Sequence, residues 1–481
     1  MVWRRTTGAV ARFAAAVAAF GAVLAVPQGA ARAADVPAYT PAEDARAVRG
    51  AASSSDGPVL EPGLYTDRIG PGETLYYSVA LDASSTAYLG ATAAPEPGAD
   101  VASFGDELTL RLQTTGGDAC DTGDTGGFGS RGSGYPVGAY AVRRVGGGVE
   151  DCQEAGPYLF SVTRESADDG DPADWPIEIG YFSEPGLKGA VPGPPAVSET
   201  AEEPPTPPSG EAAPARGGTS FNDAGSVGTG VWKDRLLPGE SRFYRVPVDW
   251  GQRLFVRLEV PNADDAGDDA PRYLSDGFAL QMYNPARGRA FKADFPSYDG
   301  DQASVELLGG TVDYGRRFAD EGRGFSMAGW WYVQVTLHDD MAAYFPGGAP
   351  VTLRTVVEGT AEEPPAYDGN AVAAGFGVTD GDREAAEQGL TAAEVAERAT
   401  WRRLGLAGVG TGTVLVAGLA AWWLLARLRA PRTAAPEPAA PGGYGFPHPG
   451  GGAPGPGPQG QPPVFGPPPG GWPPPGDPRR G

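Results

Sequence analysis

Between residues 75 and 81 large apolar side chains alternate with smaller or polar positions: Leu75, Tyr77, Val79 and Leu81 against Tyr76, Ser78 and Ala80. Period-two alternation predicts a strand with one buried face. Tyr244, Val246 and Val248 repeat the pattern, and the stretch that holds it is itself repeated. Residues 63–82 read GLYTDRIGPGETLYYSVALD; 167 residues later, residues 230–249 read GVWKDRLLPGESRFYRVPVD, with nine of twenty positions identical. An ungapped match of that length is an internal duplication. Further strands pair between the copies: Ala87, Leu89, Ala91 and Ala93 with Leu254, Val256, Leu258 and Val260; Leu108, Leu110 and Leu112 with Phe278, Leu280 and Met282. Later come Tyr158, Phe160 and Val162 with Trp331, Val333 and Val335, then Ile177 and Ile179 with Val351 and Leu353. Six to eight strands in about 130 residues, without a long helix between them, predict a mainly β fold of two tandem antiparallel β-sandwich or jelly-roll domains.

Ser53 and Asp56 match Ser220 and Asp223 at the same offset, so the repeats are placed at residues 53–185 and 219–359. Residues 34–52 read as a flexible lead-in and 186–218 as a Pro-rich acidic linker, giving two beads on a semi-stiff string. At the start, Arg4, Arg5 and Arg12 precede an apolar run that ends in Ala31-Arg32-Ala33, the pattern of a signal peptide over residues 1–33. Residues 360–403 read as a stalk with a short helix capped by Thr391 and Glu394. Residues 404–426 carry no charge and are long enough to span a bilayer. With Trp401, Trp422 and Trp423 near its ends and Arg427, Arg429 and Arg432 behind it, this run predicts one transmembrane helix. The chain is then a type I single-pass protein of the cell membrane, with its repeats extracellular. Residues 427–481, rich in Pro and Gly, form a disordered cytoplasmic tail able to offer extended segments to an inside partner or to act as a spacer.

Charge and composition narrow the function. The whole chain carries −23; four Arg and no acid precede residue 34, and five Arg stand against two acids after residue 426, so the middle carries −30. Such a surface repels nucleic acid and anionic lipid. Two histidines, His338 and His448, leave little room for imidazole catalysis or transition-metal sites, and no cofactor is expected. The two cysteines, Cys120 and Cys152, fall in a Gly-rich insertion of the first repeat; in an exported chain an even pair predicts a disulfide.

The Pro-Gly-Glu turn leading into an aromatic alternating strand, closed later by AGPYLFSVT and AGWWYVQVT, resembles the pre-peptidase C-terminal type of domain, a small β-sandwich of secreted bacterial proteins. Residues 243–254, FYRVPVDWGQRL, resemble surface proteins of high-GC Gram-positive bacteria in which this domain accompanies a von Willebrand A domain. The DxSxS metal motif of that partner module is missing from the sequence, so its adhesion site is not carried over. The resemblance covers the two repeats and implies a fold and an extracellular setting.

Three groups are candidates for chemistry. Asp118, Asp121 and Asp124, and Asp264, Asp265, Asp268 and Asp269, supply hard oxygen ligands in loops and are weak calcium candidates, but they lack EF-hand spacing, and in a chain this acidic a solvated loop is the favoured reading. His338, followed by Asp339 and Asp340, would be the base of any Ser-His-Asp arrangement, yet no G-x-S-x-G elbow accompanies it. Trp232, Trp250, Trp330 and Tyr332 load the second repeat with aromatics that either meet a glycan or protein partner or cover the second side of the sandwich. The favoured reading is a non-catalytic binding or envelope-assembly component; the alternative is an extracellular hydrolase with accessory β-sandwich domains.

Overall fold

The Pro-Gly-Glu turn shows how the repeat folds. In the computed structural model, the Glu73 amide donates to the Gly70 carbonyl and the Glu240 amide to the Leu237 carbonyl, closing a four-residue turn with proline second and glycine third. Gly72 and Gly239 have φ of 66° and 83°, the left-handed geometry that this turn requires of its third residue. The turn's glutamate locks it by accepting from the first residue's amide, Glu73 from Gly70 at 2.8 Å and Glu240 from Leu237 at 2.7 Å. The structure describes residues 36–429 apart from 122, 130–132, 150, 197–202, 265, 267–269, 292–294 and 320, and leaves out the side chains of 399 and 402–412. The signal-peptide assignment and the tail beyond residue 429 therefore lie outside the described residues.

In the first repeat the strands are β1 (Arg46–Ala47), β2 (Val59–Leu60), β3 (Gly63–Ile69), β4 (Thr74–Leu81), β5 (Thr86–Ala93), β6 (Glu107–Thr114), β7 (Asp124–Gly127), β8 (Val137–Arg143), β9 (Gly156–Glu165) and β10 (Trp175–Glu184). The second has β11 (Ala213–Pro214), β12 (Gly225–Ser226), β13 (Gly230–Leu236), β14 (Ser241–Val248), β15 (Arg253–Val260), β16 (Phe278–Tyr283), β17 (Arg289–Phe291), β18 (Ala303–Leu308), β19 (Gly329–Leu337) and β20 (Ala349–Glu358). Each repeat makes two five-stranded sheets, ordered β1-β3-β10-β5-β8 and β2-β4-β9-β6-β7 in the first, β11-β13-β20-β15-β18 and β12-β14-β19-β16-β17 in the second. The orders superimpose strand for strand. Each Pro-Gly-Glu turn is thus a corner that carries the chain from one sheet to the other.

The inward residues read from the alternation are buried throughout: Leu75, Tyr77 and Val79 are at 0 %, and Trp331, Val333 and Val335 at 1 % or less. In each repeat residues of both sheets meet in one core, which makes each a sandwich. Among the described residues each repeat has ten strands rather than six to eight. The excess comes from two-residue edge strands such as β1 and β11, which pair in parallel with β3 and β13 through backbone bonds that leave no hydrophobic period to read.

An invariant polar lock anchors these edges. The Tyr77 hydroxyl and the Gly50 amide both donate to Asp67, as Tyr244 and Gly217 do to Asp234. Two of the nine repeated identities, the aspartate and the tyrosine, are explained by this bond. The lock also shows that the duplicated unit reaches upstream of residues 53 and 219.

The two repeats are not beads on a string: the chain through Gly408 is one compact unit. All eight residues of β5 and all six of β16 are buried, whereas a strand with one wet face would alternate. Their outer faces are covered from the other repeat, Tyr283 of β16 lying against Gly138 of β8 and Gly90 of β5 against the Ala286 carbonyl. Gly288 permits the approach, since a Cβ there would come within 2.5 Å of the Tyr140 ring. The Pro-rich linker docks as well, with Arg354 donating to the Pro208 carbonyl and Leu187 bridging Tyr367. Helix α1 (Asp380–Glu387) and helix α2 (Ala392–Arg429) follow, separated at Gln388–Thr391, each opened by a Thr-acid capping box. Among the described residues no helix is long and apolar enough to cross a membrane; the side chains of residues 402–412, the first part of the uncharged run, are outside that description.

Candidate functional site

The predicted disulfide is present: Cys120 and Cys152 are bonded with Cα atoms 5.4 Å apart, and both are buried. Arg143, itself buried beside them, donates to the carbonyls of Cys152, Gln153 and Glu154, so the cystine loop is stitched to β8. The second repeat lacks the bridge. Phe325 stacked on Trp331 at 5.2 Å holds its β18–β19 insertion instead.

The carboxylates of the first acidic cluster take separate partners. Asp121 pairs with Arg144, Asp124 with Arg289 of the second repeat, and Asp118 with Thr114. Asp264 is exposed, and Asp265, Asp268 and Asp269 lie outside the described residues. Carboxylates spent on separate partners do not form a cation cage.

His338 precedes a short 3-10 turn, its Nδ1 3.1 Å from the Asp340 amide nitrogen and 2.8 Å from the Asp339 carboxylate. Hydrogen bonding from His338 holds the Asp339 carboxyl below its ordinary value. The ligand atoms of His338, Asp339 and Asp340 lie within 4.8 Å of one another, but three consecutive residues on one turn cover a single side of an ion. A void of about 20 Å³ adjoins them, bounded by Ser133 and Tyr135 of one repeat and Asp276 and Phe295 of the other, room for about one water. The Ser133 hydroxyl bonds Asp339, not the imidazole, so the nucleophile–base contact of an acyl-transfer site is not made.

Two buried hubs close the junction between the repeats. Glu184 accepts from Arg317 at 2.6 and 2.9 Å, from Tyr88 at 2.9 Å and from Tyr367 at 2.5 Å. Glu178 accepts from Tyr39, the Ala42 amide, Asn222 and Arg287, the last at 2.8 Å. Residues 36–45, expected as a loose lead-in, are therefore a strap held by both repeats, with Tyr39 also edge-on to Phe243. Nothing in the alternation marks these charges, because each finds its partner more than 100 residues away in sequence.

The four aromatics separate into walls and covers. Trp232 is 5 % exposed, its indole donating to Gly228 and Thr355, and it does not reach a partner surface. Trp330 lies under Arg245 and donates to Asp382 of α1; Tyr332 meets Phe221 edge-on. They cover the second side of the sandwich. Trp250, 3 % exposed, stands on the β14–β15 turn in the wall of a cleft of about 720 Å³, the size of ligand pockets generally. Residues 361–378, folded back over both repeats with Tyr367 bonded to Glu184 and packed on Tyr314 and Phe376 packed on Tyr88, form the opposite wall, and Arg383 of α1 lines the cleft as well. Arg383 is committed to Asp249 and Asp380. The Trp250 indole nitrogen is buried without an acceptor.

The chain matches no protein-family model and no curated protein. Among solved structures it is similar, at TM-score 0.18 and 9 % identity over 61 % of this chain and 83 % of that one, to tandem CBM51 modules of the family 98 glycoside hydrolase from Streptococcus pneumoniae. The ANXUR2 extracellular domain from Arabidopsis thaliana gives 0.16 and 7 % over 63 % and 86 %, and tripeptidyl peptidase 2 gives 0.18 and 9 % over 63 % and 24 %. With TM-scores under 0.2, these likenesses carry no argument, and the fold rests on the sheets themselves.

Proposed function

We propose that the chain is a type I, single-pass surface protein whose fused sandwiches act as a non-catalytic binding or envelope-assembly module, in keeping with its resemblance to pre-peptidase C-terminal-like repeats. The carrying observation is the cleft: the segment after the second repeat folds back to build a concave, mixed polar and aromatic wall around Trp250. A rigid recess framed by one compact unit is the usual geometry of a recognition site. The surface setting is supported by the Cys120–Cys152 bridge, which uses every cysteine in the chain and suits an oxidising compartment. It is supported too by the uncharged run 404–426, which lies within the 38 residues of α2; its 23 residues would span roughly 35 Å as a helix.

Purification from membranes followed by crosslinking tests the reading. Partners should be retained when the tail beyond residue 429 is deleted and lost when Asn370→Trp fills the cleft; the reverse pattern moves recognition to the tail. Assaying His338→Ala beside the natural chain on generic ester, peptide and glycoside substrates addresses the hydrolase alternative. Turnover that vanishes in the variant would replace the binding reading.

A further inference from the structure

We infer that the edge of β18 is a docking strand for a second copy of this chain, two β18 edges pairing antiparallel about a two-fold axis at Val305. This surface shares no residue with the Trp250 cleft and does not depend on it. β18 ends the sheet β11-β13-β20-β15-β18. Along β15 its register is Val256 with Leu307 and Leu258 with Val305, and just beyond them the Gly309 amide donates to the Leu254 carbonyl. Hydrogen-bonded pairs alternate along an antiparallel ladder. Val305 and Leu307 therefore bond to β15, while the N–H and C=O of Ser304 and Glu306 point away from it. Both residues are exposed, and no bond among the described residues reaches those backbone groups.

The equivalent edge in the first repeat is closed. β8 holds the same place in its sheet, and its outward amides are taken, Gly138 donating to the Tyr283 hydroxyl and Tyr140 to the Asp124 carboxylate. β7 lies so close that a Cβ at Gly126 would come within 2.9 Å of the Gly138 carbonyl. In the second repeat the strand in the place of β7 is β17, and the fusion turns it toward the first repeat: Arg289 donates to the Thr125 carbonyl and pairs with Asp124. Joining the repeats thus closes one edge with a copy of the same fold and leaves the matching edge open. Sheet edges are ordinarily guarded by lysine, proline or a bulge. β18 has none of these, and its one charge, Glu306, is already paired with Arg257 at 3.3 Å. The strand also complements itself. With Ser304 opposite Glu306 of the second copy, each such pair exchanges both backbone bonds and the two Glu306 carboxylates stand diagonally, not face to face. Leu308 is not needed, at the end where a Cβ on Gly309 would come 2.9 Å from the Phe325 ring. The acidic surface opposes association at long range but is screened beyond about 8 Å at physiological salt, so pairing should strengthen as salt rises.

The test uses the full chain in detergent micelles, with the natural cystine intact. Across the two-fold, Val305 meets its copy as a non-hydrogen-bonded pair with Cα atoms about 4.5 Å apart, within reach of a disulfide. Val305→Cys should therefore give a disulfide-linked dimer under mild oxidation. Ser304→Cys and Glu306→Cys, each about 9 Å from its own copy, should give none alone and should crosslink when mixed. Glu306→Pro spares the β15 ladder, because the lost N–H points outward, and removes half of the bonds between copies. It should weaken association of the otherwise natural chain by about tenfold or more in sedimentation equilibrium, and added to Val305→Cys it should abolish the crosslink. Asn370→Trp, which fills the cleft, should leave the crosslink unchanged, so failure of the cleft as a recognition site and failure of this edge are read separately. A chain that stays monomeric, no crosslink from Val305→Cys, or a crosslink from Glu306→Cys alone would overturn the inference. So would a dimer that survives Glu306→Pro undiminished, which would place association elsewhere on the chain.

Discussion

Replacing Arg317 with methionine probes the joining of the repeats. Arg317 is 2 % exposed and Glu184 0 %, and the guanidinium also lies 3.5 Å over the Tyr314 ring and donates to the Ser326 carbonyl. Methionine keeps much of the side-chain volume but leaves a buried carboxylate without its cation. Removing one partner of such a pair costs about 3–5 kcal/mol. The lower end applies here, because Tyr88 and Tyr367 still donate to Glu184. A sandwich of this size loses roughly 2–4 °C per kcal/mol, so a cost near 3 kcal/mol should lower its midpoint by about 6–12 °C. Calorimetry on the disulfide-intact chain should show one joint transition for the natural protein and a broadened or split one for Arg317→Met. Adding Glu184→Gln removes the stranded charge yet keeps an acceptor for both tyrosines, and should recover at least half of the loss, about 1.5 kcal/mol. An unchanged midpoint in the single variant, or no recovery in the double, would refute the buried pair as the closure of the junction.

Three further outcomes follow from the same structure. Changing Cys120 and Cys152 together to serine should cost about 3–4 kcal/mol by loop entropy, confined to the first repeat, and reducing agent should mimic it in denaturant titrations. Tyr39→Phe removes a hydrogen bond to a buried carboxylate and should cost about 1.5–3 kcal/mol, with faster proteolysis of residues 36–45 as the local readout. Asp82 is opposed by burial, yet the amides and hydroxyls of Ser85 and Ser84 hold its carboxyl down to about 2. Because the folded value lies below the unfolded one, its stabilisation is complete above about pH 4 and disappears as pH falls through about 2. Screening by solvent at this exposed turn keeps the contribution under about 1 kcal/mol, so Asp82→Asn should flatten the acid limb of the stability curve only slightly.

Much of the fold was legible without coordinates. Alternation at Leu75–Leu81 and its paired runs marked the inward faces, because a buried sheet face imposes a period of two on whatever chain forms it. The duplication marked the Pro-Gly-Glu corner, because the positive φ of its third residue calls for Gly and the φ of its second is one that Pro already holds. The capping pair Thr391 and Glu394 and the cystine were legible for the same reason: each is local chemistry or has one possible partner in the sequence. The Asp67–Tyr77 and Asp234–Tyr244 locks could have been found as well, since all four residues fall within the repeated stretch.

What the sequence by itself determined, then, is the pair of sandwiches, their core faces and their corner turns. Only the tertiary structure decided that they fuse. The fusion depends on outward residues such as Tyr88, Glu178 and Glu184, whose polarity reads as solvent-facing until Arg287, Arg317 and Tyr367 arrive from distant parts of the chain. The tertiary structure also sorted the aromatics, placing Trp232 in the core, Trp330 and Tyr332 beneath α1 and a loop, and Trp250 on the wall of a cleft. A strand's period states which side of a sheet a residue faces. It carries no information about what is packed against that side, and here a second copy of the same fold fills it.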